Sequence, residues 1–206
     1  VEGKGLQKAL KRTFDIMVSS AALLLLSSLF LLCAGLLKLS SRGPVFYRWR
    51  IIGQNGRRIT SCKFRTMVED AEQIEIKLRQ NGNNEMASVY FKLREDKRVT
   101  PVGKFLRKFS IDELPSLYSV LKGDLSLVGP RPVREHELIL LNDQQKKRFA
   151  VKPGATSLWV IAGKNKISDF DEIVKLDLNY INNWSLLLDL KILLKTIPVI
   201  VLGKNY

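Results

Sequence analysis

Ile16-Met-Val-Ser-Ser-Ala-Ala-Leu-Leu-Leu-Leu-Ser-Ser-Leu-Phe-Leu-Leu-Cys-Ala-Gly-Leu-Leu37 carries no charged residue, and its reading decides the architecture. At about 1.5 Å per residue, a helix of this length crosses a hydrocarbon core of roughly 30 Å. Its flanks are both basic: Lys4, Lys8, Lys11 and Arg12 lie before it, and Lys38, Arg42, Arg48 and Arg50 after it. The positive-inside rule places both ends on the cytoplasmic side, which one straight span cannot satisfy. Two readings stand: a re-entrant helical hairpin with its bend at Ser27-Ser28, and a straight span with a basic far end. A cleaved signal peptide fits poorly, because the run is too long and no small-residue cleavage site follows it.

The 206 residues suffice for one domain with a buried core, and the start at Val1 rather than Met is consistent with a segment missing upstream. Thirty-four Lys plus Arg against 20 Asp plus Glu give a formal charge of +14. That implies an anionic partner, with nucleic acid, anionic lipid and phosphorylated substrates all open on charge alone. Cys33 and Cys62 supply neither a disulfide framework nor a metal cluster, which favours a reducing, cytosol-facing compartment. His136 is the single histidine, so histidine metal sites and most Ser-His-Asp schemes drop out. Acid–base chemistry must then rest on carboxylates, lysines or tyrosines.

Beyond Gly43-Pro44 the pattern becomes extended. Asn55-Gly56 between Val45–Ile52 and Arg57–Thr66 predicts a β-hairpin. A period of two puts Lys63 and Arg65 on one face of the second strand and Cys62 and Phe64 on the other. Such a pair of cations suits a diphosphate, and equally a solvated strand face. Residues 69–80 read as an exposed helix with a Glu75–Arg79 pair, and residues 134–149 as a second helix. A third starts after Ser168, with Asp169, Asp171 and Glu172 in its first turn. The leucine-rich segment Trp184–Leu202, broken by Asp189, Lys191 and Lys195, fits an interfacial helix better than a span. Packing on the soluble core explains it about as well.

The stretch richest in chemistry is Phe109-Ser-Ile-Asp-Glu-Leu-Pro115. Leu114, Leu117, Tyr118 and Leu121 recur at helical spacing, Pro115 fits only a first turn, and Lys122-Gly123 supplies a stop. Ser110 with Glu113 forms a capping-box pattern, so Asp112 and Glu113 are explained structurally as helix-start acids. The neighbourhood favours a site, since Arg107-Lys108 precedes the pair and Val128-Gly-Pro-Arg-Pro132 follows. An arginine between two prolines sits on stiff backbone, which suits presentation of a guanidinium to phosphate.

Lys63-Phe-Arg-Thr-Met67, Arg107 with Ser110–Pro115, Leu121-Lys-Gly-Asp-Leu-Ser126 and Val128–Pro132 together resemble the bacterial sugar transferases known as monotopic phosphoglycosyl transferases. The resemblance covers roughly residues 8–200, and residues 69–98 are similar to the longer members. In many of those the catalytic domain follows an N-terminal membrane region. The resemblance implies transfer of a sugar 1-phosphate from a UDP-sugar to polyprenyl (undecaprenyl) phosphate, with release of UMP. This reaction starts surface glycoconjugate synthesis at the cytoplasmic face of the bacterial inner membrane.

By the same resemblance Asp112 is the nucleophile and forms a covalent phosphosugar, and Glu113 assists by holding Mg2+. Lys63, Arg65, Arg107 and Arg131 are candidates for the phosphates. Asp124 is a weaker candidate for a supporting role, as are Lys152 and Lys164 for nucleotide or sugar contacts. The family commonly has arginine at those two lysine positions and glycine at Ser157, and lysine does not replace a bidentate arginine. The family's re-entrant helix bends at a Ser-Pro pair. Ser27-Ser28 lacks the proline, so hydroxyl–backbone hydrogen bonds would have to supply the bend.

The expected fold is therefore α+β and mainly helical. Residues 1–42 form a membrane-associated re-entrant helix with a basic lead-in. Residues 43–206 form a cytosolic catalytic domain with a small β-hairpin and a C-terminal amphipathic interfacial helix. The expected partners are the UDP-sugar, the polyprenyl phosphate and the membrane, with no nucleic acid and a homodimer left open. The alternative is a non-enzymatic basic membrane-surface module binding anionic lipid or nucleic acid.

Overall fold

The apolar run is helical on both sides of one residue. In the computed structural model, which describes residues 2–80, 89–91, 93, 96–163, 167 and 169–203, α1 (Glu2–Leu25) and α2 (Ser27–Ser40) meet at Leu26. They are bent by 58°. Leu26 N still donates to Ala22 O, and Phe30 N to Leu26 O, both at 2.9 Å. The hydrogen-bond ladder thus continues past the break. The bend falls one residue before the expected Ser27-Ser28 pair. Serine back-bonding is found instead at Ser19, whose Oγ donates to Asp15 O at 2.6 Å. Among the described residues no single helix is long and apolar enough to cross a membrane, but the bent pair passes jointly by length and composition.

The predicted hairpin is β1 (Phe46–Ile52) paired antiparallel with β2 (Arg58–Phe64). Asn55 and Gly56 take φ of 55° and 78°, the left-handed conformations that this dipeptide tolerates. After β2 come α3 (Ala71–Gln80), α4 (Pro101–Lys108), a 3₁₀ helix over Ile111–Ser116, and α5 (Leu117–Lys122). β3 (Ser126–Val128) and β4 (Val133–Arg134) then join two different sheets. β4 extends the hairpin into the order β2-β1-β4, and β3 pairs in parallel with β5 (Gly154–Thr156). Residues 134–149, expected as one helix, are divided into a 3₁₀ turn at Glu135–Leu140, α6 (Asp143–Lys146) and a 3₁₀ turn at Lys147–Ala150. The division falls at Asn142, whose Oδ1 accepts from Gln145 N at 2.9 Å and starts a new helix. α7 (Leu158–Ile161), α8 (Phe170–Asn182) and α9 (Leu186–Val201) complete the chain.

α8 begins where expected, with Asp169 capping it by accepting from Asp171 N at 3.0 Å. α9 packs on the protein by one face and leaves an apolar face exposed. It buries Asp189, Ile192 and Thr196 against the protein and leaves Leu187, Leu190, Leu194, Ile197 and Val201 exposed. The basic lead-in turns inward. Lys11 Nζ donates to Asp189 Oδ2 at 2.5 Å, and Arg12 donates to Val120 O and Leu121 O, both at 2.6 Å. Buried Asp15 accepts from Ser126 Oγ at 2.8 Å and Leu127 N at 3.1 Å. α1 is thereby fastened to α5, β3 and α9, and Lys11, Arg12 and Asp15 are committed to contacts within the protein.

Candidate active site

The 3₁₀ helix Ile111–Ser116 is held between α4 and β2. Ser110 N donates to Arg107 O at 3.1 Å, which ties it to α4. Cys62 Sγ reaches Pro115 O at 3.5 Å, and Ser61 Oγ lies 3.0 Å from Ser119 Oγ, which fasten the segment to β2. Ser116 Oγ donates to Glu113 O at 2.6 Å within it. The expected capping box is not formed. Ser110 sits in the left-handed region at φ 51°, and its side chain makes no cap. Glu113 N instead donates to the Ser110 carbonyl at 3.2 Å. A left-handed residue turns the chain too sharply for its hydroxyl to reach the following amides, so backbone bonding starts the turn.

Asp112 is buried at 9% exposure. Beside it, Glu113 Oε1 accepts from Lys63 Nζ at 3.0 Å. The same ammonium stands 4.1 Å from the centroid of the Trp49 ring. Trp49 faces Ser61 across the hairpin, which places it diagonally beside Lys63 on one face. Burial raises the Cys62 thiol, which disfavours it as a competing nucleophile.

The predicted phosphate ligands separate into different settings. Arg107 Nε donates to Thr66 Oγ1 at 2.8 Å, at the junction of the end of β2 with α4. Arg65 is buried and donates to Arg42 O at 2.5 Å and to Ser41 Oγ at 2.9 Å. Its guanidinium fills the space where Gly43 (φ 112°) has no side chain. Arg65 and Lys63 therefore do not act as the side-by-side pair that strand periodicity predicted. β2 ends at Phe64, and Arg65 beyond it donates to the residues that follow α2.

Arg131 is held between the rings of Tyr90 and Trp159, at 4.5 and 4.2 Å from their centroids. Its Nε is buried without a hydrogen-bond partner among the described residues. The backbone around it is fixed by Arg131 N donating to Asp177 Oδ1 at 3.4 Å and by Arg148 donating to Arg131 O at 3.0 Å. Asp177 and Arg148 themselves form a buried ion pair. Asp124 pairs with Lys122 at 3.0 Å. Lys152 stands beside Gly123 together with Arg12, and burial and then Arg12 lower its pKa. Lys164 lies outside the described residues.

Sequence reading missed Trp49, Ser61, Ser119, Arg148 and Asp177. The register of the hairpin could have found Trp49. The Arg148–Asp177 pair links positions 29 apart and had no local signal.

The described residues contain no group of three or more His, Cys, Asp or Glu suited to a metal. The donors at hand are the carboxylates of Asp112 and Glu113. A hard cation that takes one or two carboxylates and completes its shell with substrate phosphates and water fits this set, and a protein-caged ion does not.

Residues 6–203 match the family model for the bacterial sugar transferases, and the chain belongs to that family. It is 52% identical over 161 residues to the galactosyl transferase CpsE of Streptococcus agalactiae serotype III, covering 78% of this chain and 35% of that protein. It is 44% identical over 197 residues to the exopolysaccharide production protein ExoY of Sinorhizobium fredii, covering 95% and 87%. With the undecaprenyl-phosphate galactose phosphotransferase of Salmonella typhimurium the identity is 40% over 193 residues, covering 93% and 40%. The chain thus spans well under half of two of these relatives and most of the third.

Proposed function

We propose that this chain transfers a sugar 1-phosphate from a UDP-sugar to undecaprenyl phosphate, at the cytoplasmic face of the bacterial inner membrane, and so starts synthesis of a surface polysaccharide. The supporting observation is that the elements around the carboxylates converge. The end of β2 with Lys63, α4 with Arg107, the 3₁₀ helix with Asp112 and Glu113, and α5 all pack at one junction. The names of the Salmonella and Streptococcus relatives point to the same chemistry.

In the proposed reaction an Asp112 carboxylate oxygen attacks the phosphorus that bears the sugar. The bond from that phosphorus to the bridging oxygen breaks, UMP leaves with the electron pair, and an aspartyl phosphosugar remains. An oxygen of the polyprenyl phosphate then attacks the same phosphorus, and the Asp112–phosphorus bond breaks. One phosphoanhydride replaces another, so no ATP is consumed. With Asp112 attacking as a carboxylate and the acceptor as a phosphate anion, neither step needs a proton removed.

What limits such a transfer is positioning and the spread negative charge. Lys63 supplies a cation beside Glu113, Arg107 is held at Thr66 just past the end of β2, and the aromatic rings around Arg131 restrict its planar guanidinium. Mg2+, held by Glu113 with substrate phosphates, would supply further charge neutralisation. The bent helix pair would act as a re-entrant, monotopic anchor for residues 1–42, with residues 43–206 as the catalytic domain.

A purely electrostatic membrane module would exploit the charge of +14 equally well. It has no use for a carboxylate pair locked at the junction. A panel of UDP-sugars, assayed for UMP with Mg2+ and polyprenyl phosphate, tests the proposal: UMP should appear with at least one sugar. Absence of UMP across the panel contradicts it.

A further inference from the structure

Arg131 is held by its backbone as well as by the rings beside it. In the loop that carries it, Gly129 N donates to Thr156 O at 3.1 Å and Pro130 O accepts from Gly154 N at 2.9 Å, which ties the loop to β5. Pro130 and Pro132 have no N–H, and their fixed φ stiffens the backbone on either side. The peptide groups of Arg131 itself go to one ion pair. Arg131 N donates to Asp177 Oδ1 at 3.4 Å, and Arg131 O accepts from Arg148 Nη2 at 3.0 Å. The same Nη2 donates to Asp177 Oδ2, which closes a ring of bonds through α8, the 3₁₀ turn at Lys147–Ala150 and the loop.

Stability alone does not account for that pair. The Asp177 and Arg148 side chains are each 1% exposed, and at such depth the desolvation of two charges offsets most of their attraction. A well-packed apolar pair would serve the fold as well. What it would not do is fix both peptide groups of Arg131.

The side chain so fixed is ready for an anion. Tyr90 and Trp159, whose ring centroids lie 4.5 and 4.2 Å from the guanidinium, are buried in one core cluster and set its plane. Its Nε is buried and has no hydrogen-bond partner among the described residues. The carboxylates that act on it electrostatically are committed elsewhere, Asp177 to Arg148 and Glu137 to Arg134 N at 2.8 Å.

We propose that Asp177 and Arg148 are positioning residues, which clamp the backbone of Arg131 so that its guanidinium meets a substrate phosphate in one fixed plane. This role rests on the transferase reading, in which phosphate reaches Arg131 either as the diphosphate of the sugar nucleotide or as the phosphate of the lipid acceptor. A misplacement of about 1 Å is enough to cost on the order of a hundredfold in a reaction governed by positioning. The pair therefore acts on the substrate without touching it.

The test uses the full chain in neutral detergent as parent, Arg131→Ala, the pair Arg148→Met with Asp177→Leu, and all three substitutions together. Calorimetry reads affinity for UDP and for a short-chain polyprenyl phosphate, and urea titration reads stability. UMP release is measured separately on the same preparations. The apolar pair should unfold at a urea concentration near the parent's, yet bind one of the two ligands about tenfold more weakly. On the Arg131→Ala background it should weaken binding no further, because it acts through Arg131. The ligand affected identifies which phosphate Arg131 takes. Asp177→Asn, which keeps the shape of the side chain, should show the same dependence on Arg131 if the apolar pair does not fold.

Unchanged affinity for both ligands in the apolar pair, or a loss that persists undiminished without Arg131, overturns the positioning role. With UMP released by the parent, the transferase reading then still stands. Loss of affinity coupled to Arg131, in a parent that releases no UMP from any sugar, overturns the transferase reading alone.

Discussion

Lys63 Nζ lies 3.0 Å from Glu113 Oε1, joining the hairpin to the 3₁₀ helix that carries Asp112. The two side chains are 22% and 42% exposed, and a pair this accessible contributes at most about 1 kcal/mol to folding. Its value is therefore in the site rather than in stability. Lys63→Met is expected to change unfolding free energy by less than about 1 kcal/mol while lowering kcat/KM for UMP release by about a hundredfold. Parallel denaturation and turnover measurements check this. A loss of stability large enough to explain the loss of rate would assign Lys63 a structural role instead.

Gly103 marks the closest approach between α4 and the end of β2. A Cβ added there would stand 2.1 Å from Thr66 O and 2.8 Å from its carbonyl carbon, and backbone cannot yield as a side chain would. Gly103→Ala should cost about 1–3 kcal/mol of stability through overpacking. It should also raise KM for the sugar nucleotide, because Thr66 orients Arg107. Urea titration reads the first effect and steady-state kinetics the second. A variant as stable as the parent contradicts the packing described.

Acid sensitivity should concentrate in one ion-pair network. Burial alone would raise the Glu75 carboxyl, but Arg134, Arg98 and Arg79 together hold it below the usual carboxylate range. Asp96 is likewise held low by Arg98 against its own burial. Folded-state values below the unfolded ones mean that the unfolded chain takes up protons first on acidification. This stabilisation is complete above the unfolded values, about 3.9 for Asp and 4.3 for Glu, and drains as pH falls through the lower folded values. Glu75→Gln should lose about 1–3 kcal/mol at pH 6, and its deficit against the parent should shrink toward pH 3. A deficit that stays constant with pH would show that packing, rather than charge, is lost.

The re-entrant reading of the bend at Leu26 predicts that both ends of the helix pair lie on one side of the membrane. In a Cys33→Ala, Cys62→Ala background, single cysteines at Lys8 and at Ser40 should react with an impermeant maleimide from the same side of inverted vesicles. Labelling from opposite sides would mean a span.

Much of the architecture was legible because it is written locally. Asn55-Gly56 set the hairpin, Asp169 the start of α8, and Gly123 (φ 95°) the end of α5. The bend was legible to within one residue. The failures have long-range causes. Ser110 has the sequence of a capping box but the backbone of a left-handed turn where α4 meets the 3₁₀ helix. Glu75, read as half of a surface i, i+4 pair, is buried because Arg98 and Arg134 arrive from distant positions. Arg65 has the right spacing to join Lys63, yet its donors go to the end of α2. The carboxylates of the site were visible in sequence, whereas their surroundings depend on tertiary contacts.

The central claim is that Asp112 becomes covalently bonded to the phosphosugar, and intact-protein mass spectrometry after mixing with the UDP-sugar, without lipid acceptor, tests it most directly. A mass increase of one sugar phosphate is expected, mapped to the peptide bearing Asp112, lost on adding polyprenyl phosphate and absent in Asp112→Asn. Turnover by Asp112→Asn at a rate near the parent's, or an adduct mapped to another residue, would contradict it.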